Sequence, residues 1–240
     1  MEPFPVIIVN FKNYPQSIGE SGKALAKILE RAAEELRINI ILAVSPVEVH
    51  AISEAVSLDV FSEHVDHDGQ GAHTGKITPE DLLANGARGV LINHSEDPEH
   101  LNVIEEAVRA CRALGLQTIV CVPDAEQAAT VAPFRPDFIA VEPPELISSE
   151  VASIATARPE LIQDTVEAVS SITEVPVLCG AGVKSALDTR ISFELGAQGI
   201  LVASAVVKSP DPATVIKDFV VGFALALEAR EHAEDEEADE

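Results

Sequence analysis

Eight short apolar runs recur along the chain, and segments with helical spacing lie between them. The runs cover residues 5–11, 38–44, 59–65, 89–93, 117–122, 138–142, 175–179 and 199–203. Over residues 17–37, apolar side chains repeat every three or four positions, as on one face of a helix. Eight strand–helix units of about 30 residues match the number that closes a parallel barrel. The sequence therefore predicts an α/β fold, a (β/α)8 barrel forming a single domain over residues 1–230.

Three more helices are predicted from the residues that begin them. The sequence TPE at 78–80 places a capping residue before a proline, DP begins a helix over 97–114, and SPD begins the last helix over 210–229. An open doubly wound sheet is the alternative fold, but it typically carries a glycine-rich phosphate-binding sequence after its first strand, where this chain reads NFKNYP. The acidic residues 231–240 are predicted to form a disordered tail.

The charge of the chain is strongly unbalanced. Forty Asp and Glu residues face 16 Lys and Arg residues, which gives a formal net charge of −24. Without a basic surface to neutralise phosphates, the chain is not expected to bind nucleic acid or anionic membranes. Molar salt shortens the range of charge repulsion to about 3 Å. We therefore expect a halophilic protein from a salt-rich cytoplasm; an ordinary acidic protein kept soluble by its charge is the alternative.

The cysteines and the N-terminus indicate the compartment. Cys111, Cys121 and Cys179 lie in apolar surroundings without paired spacing, which predicts small core residues in a reducing environment rather than disulfides or a zinc site. The N-terminal sequence MEPFPVIIVNFK lacks a basic leader, and no apolar segment approaches the length of a membrane span. A cytoplasmic location is predicted.

Polar or glycine residues follow several of the apolar runs at their downstream ends. In chain order they are Asn10, Lys12, His94, Glu142, Gly180 to Gly182, and Ala203 with Ser204. Because the C-terminal ends of barrel strands converge on one mouth, we expect these groups to lie together. A cation, an imidazole, a carboxylate and a glycine-rich anion site are the groups that proton transfer beside the carbonyl of a phosphorylated substrate requires.

Five segments of the chain resemble the triosephosphate isomerase family in its compact archaeal form. They are VNFK at 9–12, NHSE at 93–96, AVEPPELI at 140–147, GAGV at 180–183 and VAS at 202–204. They occur in the family's order and at its intervals. The resemblance implies an enzyme that interconverts D-glyceraldehyde 3-phosphate and dihydroxyacetone phosphate through an enediolate, with no cofactor and no metal. It also implies a homo-oligomer, with a tetramer favoured and a dimer as the alternative.

The resemblance implies a role for each matching residue. Glu142 would move a proton between two carbons beneath an apolar roof that includes Ile147. His94 would polarise the substrate oxygens as a neutral imidazole, its pKa lowered by the backbone N–H groups of the helix that follows. Lys12 would stabilise the enediolate and the phosphate. The remaining predicted substrate contacts are Asn10, Phe11, Gly182, Ala203 and Ser204.

The chain departs from the family in the segment after Glu142. The family's glycine-threonine-glycine loop tip is replaced here by Ser148, Ser149 and Glu150, which bears on how a closing loop would move. Two alternative functions stay open. One is another phosphate-binding barrel enzyme, an epimerase or a lyase in which Lys12 forms an imine. The other is a sugar-phosphate binding protein without catalysis.

A cluster of metal-ligand residue types lies in the segment 63–80. Its members are His64, Asp66, His67, Asp68 and His73. Glycines at 69, 71 and 75 favour an irregular projecting loop instead, and the resemblance assigns this loop to contact with a neighbouring subunit. Metal binding by the loop is the alternative.

Overall fold

Eight parallel strands close a barrel in sequence order. The structure is a computed structural model that describes residues 5–146 and 153–238. The strands are β1 (Val6–Asn10), β2 (Asn39–Val44), β3 (Asp59–Ser62), β4 (Gly89–Ile92), β5 (Gln117–Val122), β6 (Phe138–Val141), β7 (Val177–Cys179) and β8 (Gly199–Val202). Each strand pairs with the next, and β8 pairs with β1 to close the sheet. The predicted (β/α)8 barrel is confirmed.

The predicted apolar runs lie at the strands and extend beyond several of them. β3 ends at Ser62 rather than at residue 65, and β6 ends at Val141, so that Glu142 lies just beyond the strand. The backbone N–H of Glu142 still donates to Val122 O at 2.8 Å, in the manner of a further ladder bond. The polar residues therefore stand at the rim of the barrel, where the chain leaves the sheet.

Helices connect the strands on the outside of the barrel. The described residues form α1 (Gly19–Leu36), α2 (Val49–Ser53), α3 (Pro79–Ala84), α4 (Leu101–Ala113), α5 (Ala125–Val131), α6 (Ile154–Ala157), α7 (Pro159–Ser170), α8 (Ala186–Glu194), α9 (Ser204–Val207) and α10 (Pro212–Ala238). Short 3-10 helices cover Pro15–Ser17, Ala132–Phe134 and Pro144–Leu146. No described helix is both long enough and apolar enough to cross a membrane.

Two helix boundaries differ from the sequence prediction by four residues or more. α4 was predicted to begin at Asp97 but begins at Leu101, because the Asn93 side chain accepts the Glu99 N–H at 2.9 Å and His94 O accepts the Asp97 N–H at 2.7 Å. These bonds hold the segment in a turn at the barrel mouth. α10 continues to Ala238, beyond the predicted residue 229. Disorder of the chain from residue 231 stays a prediction.

The start of α3 agrees with the prediction. Its first residue is Pro79, and the Thr78 hydroxyl accepts the Asp81 N–H at 3.3 Å. A capping oxygen of this kind satisfies one of the backbone donors that the first turn leaves unpaired, and Pro79 has no N–H to satisfy.

The core has an inner and an outer layer, and the strands alternate between them. In β1, Val6 and Ile8 point into the barrel, whereas Ile7 and Val9 pack against the surrounding helices. The inner layer also contains Ile41, Phe61, Leu91, Ile119, Cys121, Ala140, Leu178 and Leu201. Because both faces of the sheet are covered, the strands are apolar along most of their length rather than alternately polar. The three cysteines are buried free thiols, as predicted.

Candidate active site

A cleft opens at the C-terminal ends of the strands, where the sequence predicted a site. It is lined by Asn10, Lys12, His94, Glu142, Gly180, Gly182, Val183, Lys184 and residues 201–205. An adjoining cleft shares Asn10, Lys12 and His94 and extends to Glu63 and Glu96. The structure thus brings together residues at or just beyond the ends of β1, β4, β6, β7 and β8 that are separated by as many as 195 positions, from Asn10 to Ala205.

Glu142 presents a buried carboxyl group to this cleft. The residue is 4% exposed, and within the described part of the chain its Oε2 has no hydrogen-bond partner. Burial raises the pKa of Glu142 from 4.5 to about 7, while a hydrogen bond from the Cys121 thiol and the charge of Lys12 oppose the rise. A carboxyl group with a pKa near neutrality and a free oxygen can accept a proton and give it back.

His94 faces Glu142 across the cleft. Its Nε2 lies 3.6 Å from Glu142 Oε2, and its Nδ1 accepts the Glu96 N–H at 3.2 Å. This second bond places the ring proton of the neutral imidazole on Nε2, toward the cleft. Burial first, and the charge of Lys12 second, lower the pKa of His94 from 6.5 to about 4. The ring is therefore neutral at pH 7, and the 3.6 Å approach is a contact rather than an ion pair.

The cause of the lowered His94 pKa differs from the sequence prediction. The prediction assigned it to the backbone N–H groups of a helix beginning at Asp97, but α4 begins at Leu101. Desolvation is the largest cause in the structure, since His94 is only 6% exposed. Among the described residues, the one backbone N–H that reaches the ring belongs to the turn and selects the tautomer.

Lys12 is held in an unusual backbone conformation. Its φ is +49°, a left-handed value that non-glycine residues seldom adopt. Its N–H donates to Glu63 Oε1 at 2.6 Å and to Asn10 Oδ1 at 3.1 Å, and its carbonyl accepts the Ser17 hydroxyl at 2.7 Å. Its Nζ pairs with Glu96 at 2.8 Å. These side chains fix both the backbone and the ammonium group of Lys12 at the mouth.

The predicted phosphate contacts lie on the side of the cleft formed by β7 and β8. Gly182 has a φ of +70°, and Ala203 and Ser204 stand at the start of α9. Within residues 5–146 and 153–238, neither Gly182 nor Val183 has an acceptor for its backbone N–H. Free N–H groups at a turn and at a helix N-terminus form a site suited to an anion.

Two other predicted substrate contacts, Phe11 and Ile147, stay predictions. Phe11 is fully buried in the outer core layer, and no atom of it lines the described cleft, so its role in substrate binding stays a prediction. Ile147 and the departure at Ser148, Ser149 and Glu150 lie outside the described residues.

Two residues at the site were not identified from the sequence, Glu63 and Glu96, which contact Lys12 directly. Gly180, which the sequence placed in the glycine-rich anion site, packs against the side chain of Glu142. Glu63 follows β3 and Glu96 follows β4, so the rule that selected Asn10 and His94 applies to them as well. Burial raises the pKa of Glu63 from 4.5 to about 7, while the N–H and the charge of Lys12 oppose the rise.

The residues with metal-ligand side chains are engaged with one another. His64 Nδ1 lies 2.7 Å from Asp97 Oδ2, and ligand atoms of His64, Asp97 and Glu99 lie within 4.8 Å of each other. In the segment predicted as a projecting loop, Lys76 pairs with Asp66 at 2.7 Å, and His73 lies 3.7 Å from Asp68. Ion pairing and hydrogen bonding account for these approaches.

Gly180 leaves room for the Glu142 side chain, and a Gly180→Ala variant should lose activity. A Cβ at this position would overlap Cγ of Glu142 and lie 2.9 Å from its Cδ. Because a displacement of about 1 Å can cost roughly 100-fold in rate, we expect kcat to fall by about that factor. Gly69→Ala is the matched control, since a Cβ there meets nothing within 4 Å. An unchanged kcat in Gly180→Ala would contradict this geometry.

Comparison with known proteins agrees with the arrangement of the site. Residues 5–219 match the family model described as triosephosphate isomerase. The chain is 40% identical to triosephosphate isomerase of Metallosphaera sedula over 226 residues, which cover 94% of this chain and 99% of the relative. It is 41% identical to triosephosphate isomerase of Methanocaldococcus jannaschii over 216 residues, which cover 90% and 98%.

Proposed function

Because the chain belongs to the triosephosphate isomerase family and catalyses that family's aldose–ketose isomerisation, we propose that the cleft between Lys12, His94 and Glu142 performs the reaction. One observation supports this assignment above the others. A carboxyl group that is 4% exposed, with its pKa raised to about 7, stands 3.6 Å from a neutral imidazole. A purely structural role gives no reason for leaving Oε2 of that carboxyl without a partner within the described chain.

Glu142 is the proton-transfer base in this proposal. Its ionised carboxylate takes the proton from C2 of D-glyceraldehyde 3-phosphate, and the electron pair of that bond forms the C1–C2 double bond of the enediolate. The protonated carboxyl group then returns the proton to C1, which gives dihydroxyacetone phosphate. One group serves both steps because a pKa near 7 allows it to exist in either form near neutral pH.

His94 moves protons between the two substrate oxygens. The Nε2–H donates to the carbonyl oxygen while negative charge develops there. The ring is a suitable donor because it is neutral, and the Glu96 N–H bound to Nδ1 keeps the proton on the cleft side. As the proton passes to the first oxygen, Nε2 can accept the proton of the neighbouring hydroxyl, which restores the starting tautomer.

Lys12 and the free N–H groups hold the negative charges of the substrate. The ammonium group lies at the mouth on an 11% exposed side chain, where its field acts on the enediolate and the phosphate. The backbone N–H groups of Gly182, Ala203 and Ser204 bind the phosphate in this proposal. The ion pair at 2.8 Å engages Lys12 Nζ with Glu96, which disfavours the imine chemistry of a lyase because that chemistry needs a free amine.

Turnover of D-glyceraldehyde 3-phosphate by the purified chain tests these roles against the alternatives. We expect dihydroxyacetone phosphate to form with no metal or cofactor added, and no loss of activity on treatment with borohydride. Trapping of substrate on Lys12 by borohydride would favour a lyase. Binding of the triose phosphate without turnover would favour a sugar-phosphate binding protein.

The neutral state of His94 is a separate prediction. We expect its ring 15N resonances to stay unchanged between about pH 5.5 and pH 9, because its pKa is lowered to about 4. A lowered pKa also means that its contribution to stability is complete above about pH 6.5 and is lost as the pH falls through about 4. NMR of 15N-histidine-labelled protein measures this. A midpoint between about pH 6 and 7 for His94 would contradict it.

We also propose a homotetramer located in the cytoplasm. Residues 71–76 are exposed and lie in the segment assigned to subunit contact, which supports an oligomer. Light scattering should give a mass four times the 25.4 kDa of the chain, and a mass of one chain would contradict the proposal. Recovery of the protein with the cytosolic fraction, rather than with membranes, would test its location.

The net charge of −24 underlies a further proposal, that the protein is adapted to high salt. Repulsion between surface carboxylates opposes the compact state, and molar potassium chloride screens it over about 3 Å. We expect the melting temperature to rise by several degrees between dilute buffer and molar potassium chloride. Scanning calorimetry at equal protein concentration measures the difference. Equal melting temperatures in the two buffers would refute the proposal.

A further inference from the structure

Asp188 places a buried carboxylate behind the predicted phosphate site. The residue lies in the first turn of α8 and is 6% exposed. Its Oδ2 accepts from the backbone N–H groups of Lys184 and Ser185, both at 3.0 Å, and from the Ser185 hydroxyl at 2.8 Å. Its Oδ1 accepts the hydroxyl of Ser153. Four donors from two separate segments therefore converge on one carboxylate.

These bonds join the turn of the cleft to a second segment of the chain. Gly182, Val183 and Lys184 line the cleft directly, and Ser153 lies on the segment that leads into α6. A backbone hydrogen bond also links these two segments, since the Ile154 N–H donates to Ala181 O at 3.0 Å. The turn that carries the free N–H groups of Gly182 and Val183 is thereby held at both ends.

Capping of α8 explains only part of this arrangement. Asp188 and Ser185 form a capping box, in which Asp188 Oδ2 accepts the Ser185 N–H and the Ser185 hydroxyl accepts the Asp188 N–H at 3.3 Å. The bonds with Lys184 and Ser153 lie outside that motif. Within the described ranges, no Lys, Arg or His side chain pairs with the Asp188 carboxylate. A buried negative charge beside an anion site opposes phosphate binding, so the fold retains it at an electrostatic cost.

We propose that Asp188 is a positioning residue for phosphate binding, which holds the turn at 180–185 so that its free N–H groups face the substrate. The inference rests on the proposed function, because it takes this turn as the phosphate site. The positioning role and the negative charge of Asp188 predict opposite changes in phosphate affinity when the residue is replaced. Removing the charge alone should strengthen phosphate binding, whereas losing the bonds should weaken it.

Competitive inhibition by inorganic phosphate separates the two effects in Asp188→Ala and Asp188→Asn. Asparagine can keep the geometry, since Oδ1 can accept from the Lys184 and Ser185 N–H groups while Nδ2 donates to Ser153 Oγ. We expect the inhibition constant and KM to rise by about tenfold or more in Asp188→Ala, with a smaller change in kcat. In Asp188→Asn, both should stay within about threefold of the parent or fall.

Two further variants complete the experiment. Asp124→Ala is the matched control, because it also removes an aspartate cap, that of α5, whose Oδ1 accepts the Gln127 N–H at 2.8 Å. It should lower the melting temperature and leave the phosphate inhibition constant unchanged. Ser153→Ala leaves the bonds from Lys184 and Ser185 in place but removes the bond to Oδ1, together with the cap of α6 in which Ser153 Oγ accepts the Thr156 N–H at 3.2 Å, and we expect it to raise the inhibition constant by about threefold. If Asp188→Ala does not fold, Ser153→Ala tests the positioning role in its place.

The outcomes distinguish failure of the inference from failure of the proposed site. Phosphate inhibition of Asp188→Ala that is as strong as in the parent, or stronger, would overturn the positioning role. An inhibition constant raised as far in Asp188→Asn as in Asp188→Ala would also overturn the positioning role. Asparagine can keep the hydrogen bonds, so these bonds would then not be sufficient for phosphate binding. If phosphate fails to compete with the triose phosphate in the parent itself, the phosphate site is wrongly placed and the inference fails with it.

Discussion

A Glu142→Gln variant is expected to fold normally and to lose almost all isomerase activity. Glutamine fills the same space but cannot accept the substrate proton, so we expect kcat to fall by about 10²- to 10⁴-fold. KM should change much less, because the contacts to the phosphate remain. Steady-state turnover of D-glyceraldehyde 3-phosphate, measured for both proteins from parallel preparations, gives the comparison.

Stability provides an independent check on the same variant. Since burial raises the pKa of Glu142 to about 7, the folded state loses stability from this group as the pH rises through that value. Glu142→Gln should therefore melt no lower than the parent at about pH 8 while it is inactive. Glu145→Gln is the matched control, because that side chain is exposed and lies three positions further along. Isomerase activity retained in Glu142→Gln would show that Glu142 is not the base.

A Glu63→Gln variant is expected to be considerably more stable than the parent above neutral pH. Burial raises the pKa of Glu63 from 4.5 to about 7, so its contribution to stability is complete below about pH 4.5 and is lost as the pH rises through about 7. Such a shift corresponds to about 3 kcal/mol in the free energy of unfolding. Glutamine avoids this loss and keeps an oxygen that can accept the Lys12 N–H.

The pH dependence identifies the cause of the Glu63→Gln effect. We expect the difference in unfolding free energy to be near zero at about pH 4.5 and to approach its full value at about pH 8 to 9. Denaturant unfolding at equal chain concentration measures it, since assembly shifts apparent stability. Glu34→Gln, a substitution on the exposed face of α1, should show little difference at either pH. An equal gain at both pH values would point to packing rather than to the buried charge.

The barrel could be predicted because its signal is local and repeated. Each strand lies in an apolar run, and most of the runs end next to a polar residue or glycine, as at Val44 and Ser45 or at Cys179 and Gly180. These boundaries can be predicted from neighbouring residues alone, without knowledge of any distant residue. Sequence order then determined the neighbours, because consecutive parallel strands joined by helices lie side by side.

The residues around the site were harder to predict, because their roles depend on distances across the barrel mouth. Glu63 is an ordinary carboxylate in the sequence, and only the 2.6 Å bond from Lys12 N–H shows what it does. Asp188 lies 35 positions from Ser153, and no spacing rule links the two. The predicted start of α4 was wrong for a similar reason. The Asn93 side chain accepts the backbone N–H of Glu99, a donor that the helix would otherwise use.

The pKa of His94 illustrates the same limit. The sequence indicated a neutral imidazole but assigned its lowered pKa to a helix terminus. Burial is a property of the assembled mouth, where strands from across the chain exclude water from the ring, and it is the largest cause of the shift to about 4. A sequence pattern can place a residue at the rim, but it cannot measure how much solvent the other elements remove.

Deuterium incorporation from solvent is the most direct test of Glu142 as the base. D-Glyceraldehyde 3-phosphate would be converted in deuterium oxide by the parent and by Glu142→Gln, and the dihydroxyacetone phosphate examined by NMR for deuterium at C1. We expect the parent to introduce deuterium at C1 during turnover, because the proton on a carboxyl group can exchange with solvent, and the variant to introduce none above the uncatalysed rate. Incorporation at equal rates in both proteins would show that another group transfers the proton.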